Sequence, residues 1–184
     1  VILYHFSEDP TIEVFHPRPI PGPSTYSTPP PPEQTSSLLV WAIDEAHAPL
    51  YWFPRDCPRI AYWALPTSTP EDIDRFLGHT AARWVIAIES AWLARLRETQ
   101  LYAYRFPPET FEPQWEGGGP GYHISREPVT PVAVEPVGDL LARHVAAGIE
   151  LRITPSLWPL RRALLSATLH FSMVRMRNAQ PEIA

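Results

Sequence analysis

Three groups of residues in this chain carry side chains that could do chemistry. His5-Phe6-Ser7 puts an imidazole and a hydroxyl two residues apart in the apolar opening segment Leu3-Tyr4-His5-Phe6-Ser7. In a β-strand, residues i and i+2 share a face, so a ring nitrogen and a hydroxyl would stand side by side. Tyr51, in the aromatic run Tyr51-Trp52-Phe53, could pack in the core or stack a ring on a base. Arg55-Asp56-Cys57-Pro58-Arg59 is the third group. Arg55 and Arg59 could clamp an anion, with an Arg55–Asp56 ion pair as the structural alternative, and two flanking cations could activate the Cys57 thiol.

Other chemistries find less footing. The histidines are scattered, no H-x-H or H-E-x-x-H occurs, and Asp44-Glu45-x-His47 alone is nonspecific, so no metal is expected. Glu8-Asp9 reads as a turn rather than a pair of catalytic acids. The run Glu116-Gly117-Gly118-Gly119-Pro120-Gly121 lacks the spacing and the strand-to-helix context of a dinucleotide fingerprint. All fifteen cations are arginine, which excludes lysine Schiff bases and a phosphate-loop lysine.

Composition bounds the class. With 184 residues, 45% hydrophobic and 19% charged, the chain can bury one sizeable core, and a single domain over 1–184 is expected. A net charge of -5 argues against a general nucleic-acid surface. Apolar runs are too short for a membrane span and no signal-like segment leads the sequence, so cytoplasmic residence is the expectation. Cys57, the only cysteine, permits no internal disulfide. The 24 prolines cut the chain into short elements joined by stiff loops.

Patterning places the candidates. Strands are expected over 1–6, 38–43, 60–64, 83–88, 100–106, 122–125 and 132–134. Residues 16–37 form a Pro-rich loop, expected to act as a lid because it lies between the first two strands; a ligand for a proline-recognising module is the alternative. Ser68 or Thr69 caps a helix that opens on Pro70 and ends at Gly78. Short helices follow over 91–97 and 139–147, and the spacing Leu160, Leu164, Ala167, Phe171, Val174 predicts a final helix from about Leu157 to Arg177. Leu151-Arg152-Ile153 reads as extended, the part from 139 to 178 is otherwise read as helical, and the whole as α+β with a split, mostly antiparallel sheet and a C-terminal helix.

Two resemblances rest on these residues. Leu3-Tyr4-His5-Phe6-Ser7-Glu8-Asp9, Val40-Trp41-Ala42-Ile43-Asp44, Tyr51 to Arg59, and Leu169-His170-Phe171-Ser172 to Asn178-Ala179 resemble an uncharacterised family of small bacterial proteins, a domain of unknown function. The order of elements is also similar to the ADP-ribosyltransferase-like fold, which includes the poly-ADP-ribose polymerases and RNA 2′-phosphotransferases. His5-Phe6-Ser7 matches the His-x-Ser of its first strand, Val40–Ile43 followed by Tyr51 matches the next strand and a nicotinamide-stacking tyrosine, and Gly121–Ser125 resembles the strand near the catalytic glutamate. Where that glutamate would stand the chain has Gly121, Tyr122 or His123, with Glu116 and Glu127 nearest. RNA 2′-phosphotransferases use arginines instead, for which Arg55, Arg59 and Arg126 are available.

The resemblance implies a cleft binding a nucleotide-like or phosphate-bearing small molecule through His5, Ser7, Tyr51, Arg55 and Arg59. In an enzyme, NAD or a related nucleotide would be the donor for ADP-ribosyl or phospho-transfer, His5 holding a ribose hydroxyl and Ser7 the carboxamide. The competing expectation is a non-catalytic domain that lost the acid and meets a protein partner through its Pro-rich loop or aromatic surface.

Overall fold

The structure is a computed structural model that describes residues 1–19, 38–114 and 121–182. Along the chain run β1 (Leu3–Ser7), β2 (Arg18–Pro19), β3 (Leu38–Asp44), β4 (Arg59–Trp63), α1 (Pro70–Leu77), β5 (Trp84–Glu89), α2 (Leu93–Glu98) and β6 (Tyr102–Phe106). Then come β7 (Glu112–Pro113), β8 (Tyr122–Ser125), β9 (Ala133–Pro136), α3 (Leu140–Ala146), β10 (Ile149–Thr154), α4 (Trp158–Leu165) and β11 (His170–Val174). The class is α+β with mostly antiparallel sheets, as the patterning predicts. The described residues fall into two compact units, 1–19, 38–55, 99–114 and 121–140 in the first and 56–98 and 141–182 in the second. Each has its own sheet and its own apolar cluster.

The first unit is an antiparallel sheet in the order β7-β8-β3-β1-β6-β9, with β2 also pairing with β3. Leu3, Phe15, Val40, Ala42, Tyr104, Phe106 and Val129 form its buried cluster. Phe15 meets Tyr104 and Phe106 edge-on at 5.0 and 4.9 Å between ring centres. The Tyr104 hydroxyl donates to the Asp9 carbonyl at 2.7 Å and accepts from the Ile12 amide at 3.1 Å. Those bonds fasten the segment after β1 over the sheet. Of the Pro-rich loop expected over 16–37, residues 20–37 lie outside the described residues, and Arg18–Pro19 pairs with β3.

The second unit is a sheet in the order β10-β5-β4-β11, in which β10 and β5 are parallel and the other neighbours antiparallel. Every residue of β5 is buried. Helix α1 follows its local signals: the Thr69 hydroxyl accepts from the Asp72 amide, Pro70 opens the first turn, Glu71 and Asp72 sit where the dipole favours acids, and Gly78 closes the helix. Phe76 and Leu164, from α1 and α4, pack with Ile60, Tyr62, Val85 and Ala87.

The part from 139 to 178 is not continuously helical. Helix α3 ends at Ala146 before Gly148 (φ 68), and β10 follows over the stretch expected to be extended. Helix α4 stops at Leu165, and the rest of the expected helix becomes β11, where Phe171 registers with Tyr62 and Met173 with Ile60. Phe171 and Met173 also alternate with His170, Ser172 and Val174, so the segment fits period two as well as 3.6. The demand of β4 for a partner on its second edge overrides a helical pattern that has no local stop.

Candidate functional site

The period-two reading of the opening strand holds: Leu3, His5 and Ser7 register with Phe106, Tyr104 and Tyr102 on β6, on the clustered face of the sheet. The half-buried His5 ring lies 4.8 Å from the Phe15 ring and 6.1 Å from that of Phe106. β1 registers with β3 only at Leu3 and Tyr4. Beyond that point the His5 Nδ1–H donates to the Trp41 carbonyl at 2.9 Å and supplies a bond in place of the interrupted ladder. Ser7 is buried, and its hydroxyl accepts from the Asp9 amide at 3.2 Å, closing a turn.

Tyr51 is on the other side. Its hydroxyl donates to that of Tyr122, and the rings meet edge-on at 5.9 Å. Tyr122 registers with Ile43, and Ile43 with Tyr4. These three side chains share a face, and His5, next to Tyr4, points to the opposite one. The pocket expected to join His5 and Ser7 to Tyr51 is therefore not formed. Alternation settles which residues share a face of one strand; where a side chain from a later segment lands is set by the sheet order.

Burial holds the His5 pKa below its ordinary value of 6.5; the Trp41 carbonyl opposes this, and the charges of Arg55 and Arg18 reinforce it. The unfolded ring protonates first as pH falls, so the neutral ring stabilises the fold fully above 6.5 and progressively less below it. Urea unfolding of the wild type is expected to show this acid loss between pH of about 8 and 5. His5→Gln, which keeps a donor for the Trp41 carbonyl and cannot titrate, is expected to have a shallower slope; an unchanged slope would place the titration elsewhere.

The two arginines differ in exposure. Arg55 in the first unit is exposed, and its backbone amide donates to Glu8 Oε1 at 2.8 Å. Arg59 in the second unit is buried, with Nη1 donating to the Cys57 carbonyl at 3.1 Å. A guanidinium so engaged braces its own loop. Arg126 pairs with Glu112, and Glu116 lies outside the described residues.

Cys57 is buried, donates its S–H toward the Pro58 carbonyl, and has a pKa pushed up to about 12 by burial, against the nearby Arg59 charge. A thiol so rarely ionised is a poor nucleophile. A disulfide-exchange reagent is expected to modify it at the rate of unfolding, with denaturant accelerating the reaction; immediate native labelling would contradict this burial.

The polar residues that do converge lie where β3 ends. Asp44 Oδ1 accepts from both the His47 amide (2.9 Å) and His47 Nδ1–H (2.7 Å). A carboxylate on Nδ1 fixes the tautomer and makes Nε2 the basic atom of the neutral ring. Gly121 backs this imidazole: its φ is 78°, its carbonyl accepts from the Asp44 amide at 2.9 Å, and an added Cβ would fall 2.3 Å from His47 Nδ1. His123 Nδ1–H also donates to the Gly121 carbonyl, at 3.2 Å. A 3-10 turn, Ala48–Tyr51, leads from His47 to Tyr51. Asp44 registers with Leu3 and Tyr122 with Ile43, so the oriented imidazole and the two phenols come to the same end of β3 and β8 from opposite faces of the sheet. Asp-x-x-His followed by proline was the visible signal; Tyr122, distant in sequence, had none.

Among the described residues no group of three or more His, Cys, Asp or Glu side chains is arranged to hold a metal, and no helix is long and apolar enough to cross a membrane. No curated protein and no solved structure matches the chain. Residues 4–179 match the model of a Family of unknown function (DUF6886), and the chain belongs to that family.

Proposed function

We propose that this chain binds a nucleotide-like or phosphate-bearing small molecule in its first unit, at the end of β3 and β8. The reading is carried by one observation, the Asp44 carboxylate holding His47 Nδ1 at 2.7 Å. An imidazole fixed in that way can accept a proton from a ribose hydroxyl or hydrogen-bond a phosphate. The Tyr51 and Tyr122 phenols supply further hydrogen bonds, their rings and that of Trp41 offer surfaces for a base or nicotinamide, and exposed Arg55 on the same segment suits phosphate. As an enzyme the protein would be a transferase with NAD or a related nucleotide as donor and His47 as the base. His5 and Ser7 are positioning residues of the sheet in this reading. A cytoplasmic setting accords with the one buried thiol.

Calorimetric titration with NAD and ADP-ribose tests it. Saturable heat is expected from the wild type and from His5→Gln, and weakened binding from His47→Ala and Tyr51→Phe. No heat from the wild type defeats the reading, and loss in His5→Gln alone returns the site to the His5 and Ser7 side chains. The competing reading, a non-catalytic interaction domain, draws on Val132 and Val134, exposed by 58% and 45% at edge strand β9, where an extended partner segment could add a strand.

A further inference from the structure

The second unit contains a cavity that the reading above does not use. It opens where β10 turns into α4, has a volume of about 260 Å³, and is lined by Tyr62, Ala87, Arg152, Thr154, Ser156, Pro159 and Leu160. Tyr62 registers with Val85, Ala87 with Ile60 and Arg152 with Ala87, so these side chains share the helix-covered face of the sheet. Tyr62 is fully buried, and its hydroxyl has no partner at good hydrogen-bond geometry, the Arg152 guanidinium being the polar group that faces it. Buried polar groups are nearly always satisfied, and a lone phenol on a cavity wall calls for an explanation.

The other polar groups are set beside it. The Arg152 guanidinium stands 5.6 Å from the Tyr62 ring centre. It is held by Nε donating to Glu150 Oε1 at 2.7 Å and Nη2 donating to the Phe76 carbonyl at 3.3 Å. Two of its five N–H groups serve those bonds, which fixes the plane of the rest. Ser156 Oγ accepts from the Trp158 amide at 3.3 Å, and Thr154 donates to the Ser156 carbonyl at 3.2 Å. Ser156 can therefore still donate. The polar wall is made of donors, and Ala87, Pro159 and Leu160 make the rest apolar.

We infer that this cavity binds a small monocarboxylate with an apolar body, its carboxylate held by Tyr62, Ser156 and Arg152. Charge selects the class. Glu150 already neutralises Arg152, so repulsion from its carboxylate grows with ligand charge and weighs less on a monoanion than on a dianionic phosphate, while the remaining guanidinium N–H groups and the hydroxyls can donate to either. Size agrees, since the volume lies just under the usual range for small-molecule pockets. The site is independent of the one at His47.

Calorimetry of the full chain with benzoate and hexanoate, compared with inorganic phosphate and cyclohexylamine, tests the inference. Saturable binding of at least one carboxylate is expected, tighter than that of phosphate or amine, and unchanged in His47→Ala. Tyr62→Phe is expected to be at least as thermally stable as the wild type and to bind about tenfold more weakly. Arg152→Gln gives a second arm with a similar loss. The inference is overturned if neither carboxylate binds with a Kd below about 10 mM, if phosphate binds more tightly, or if Tyr62→Phe binds as well as the wild type. A less stable Tyr62→Phe overturns it equally, because the phenol would then have a partner in the unliganded protein.

Discussion

Replacing Glu89 with alanine is expected to destabilise the second unit by about 3 kcal/mol, the sum of two charge-assisted bonds lost and a buried donor stranded. Glu89 ends β5, is fully buried, and accepts from the Leu157 amide through Oε1 at 3.2 Å and from the Gln180 amide through Oε2 at 2.8 Å. The first amides of a helix have no partner within it. A carboxylate placed against them supplies both an acceptor and a charge of the favourable sign. One side chain therefore caps α4 from a distance and pins the tail beyond β11, where Trp158 Nε1 donates to the Gln180 carbonyl at 2.7 Å.

Glu89→Gln keeps the shape but turns one acceptor into an amide that faces another donor, so about half of that loss is expected. Urea midpoints at constant m-value measure both variants. A loss under about 0.5 kcal/mol for alanine would mean that water reaches both amides and the carboxylate is not the anchor.

The second large effect is expected at Gly121. Its φ of 78° strains any residue with a Cβ, and that Cβ would lie 2.3, 2.6 and 2.8 Å from the Nδ1, Cγ and Cβ of His47. Gly121→Ala should cost about 2–4 kcal/mol, of which about 1–2 is left-handed backbone and the rest displacement of the imidazole. The Asp44–His47 bond is the casualty, so ligand binding at that site should fall as in His47→Ala even in the molecules that remain folded.

Gly138→Ala and Gly148→Ala provide the control. Their φ values are 84° and 68°, but an added Cβ meets nothing within 4 Å, so only the backbone contribution of about 1–2 kcal/mol is expected. Chemical denaturation gives the stabilities, and the nitrogen-15 shifts of the His47 ring report whether its tautomer survives. Equal losses at all three glycines would show that the ring yields freely and that the dyad is not held from behind.

Much of the architecture was legible because its causes are local. Thr69, Pro70, Asp72 and Gly78 each act within one helical turn, and α1 falls where they place it. The short apolar run Trp84–Ile88 and the alternating Tyr102–Phe106 read as strands because run length and side-chain period are properties of the single strand. The C-terminal misreading has the complementary cause. Leu169–Val174 satisfies two periods at once, and only the open edge of β4 selects between them.

The site divides along the same line. Sequence by itself determined that His5 and Ser7 share a face, since that relation spans two residues, whereas Asp44-Glu45-x-His47 is nonspecific until the structure shows the bond between its ends. It also determined the class of the fold, through short alternating strands broken by proline. Tertiary structure alone decided that the His5 face is the one closed by Phe15 and Phe106, that Tyr51 meets Tyr122 on the reverse, that Arg59 is buried, and that an unpartnered Tyr62 hydroxyl borders a cavity. Those outcomes depend on which strands become neighbours, and strand order is chosen by burial summed over the whole sheet rather than by any short stretch of chain.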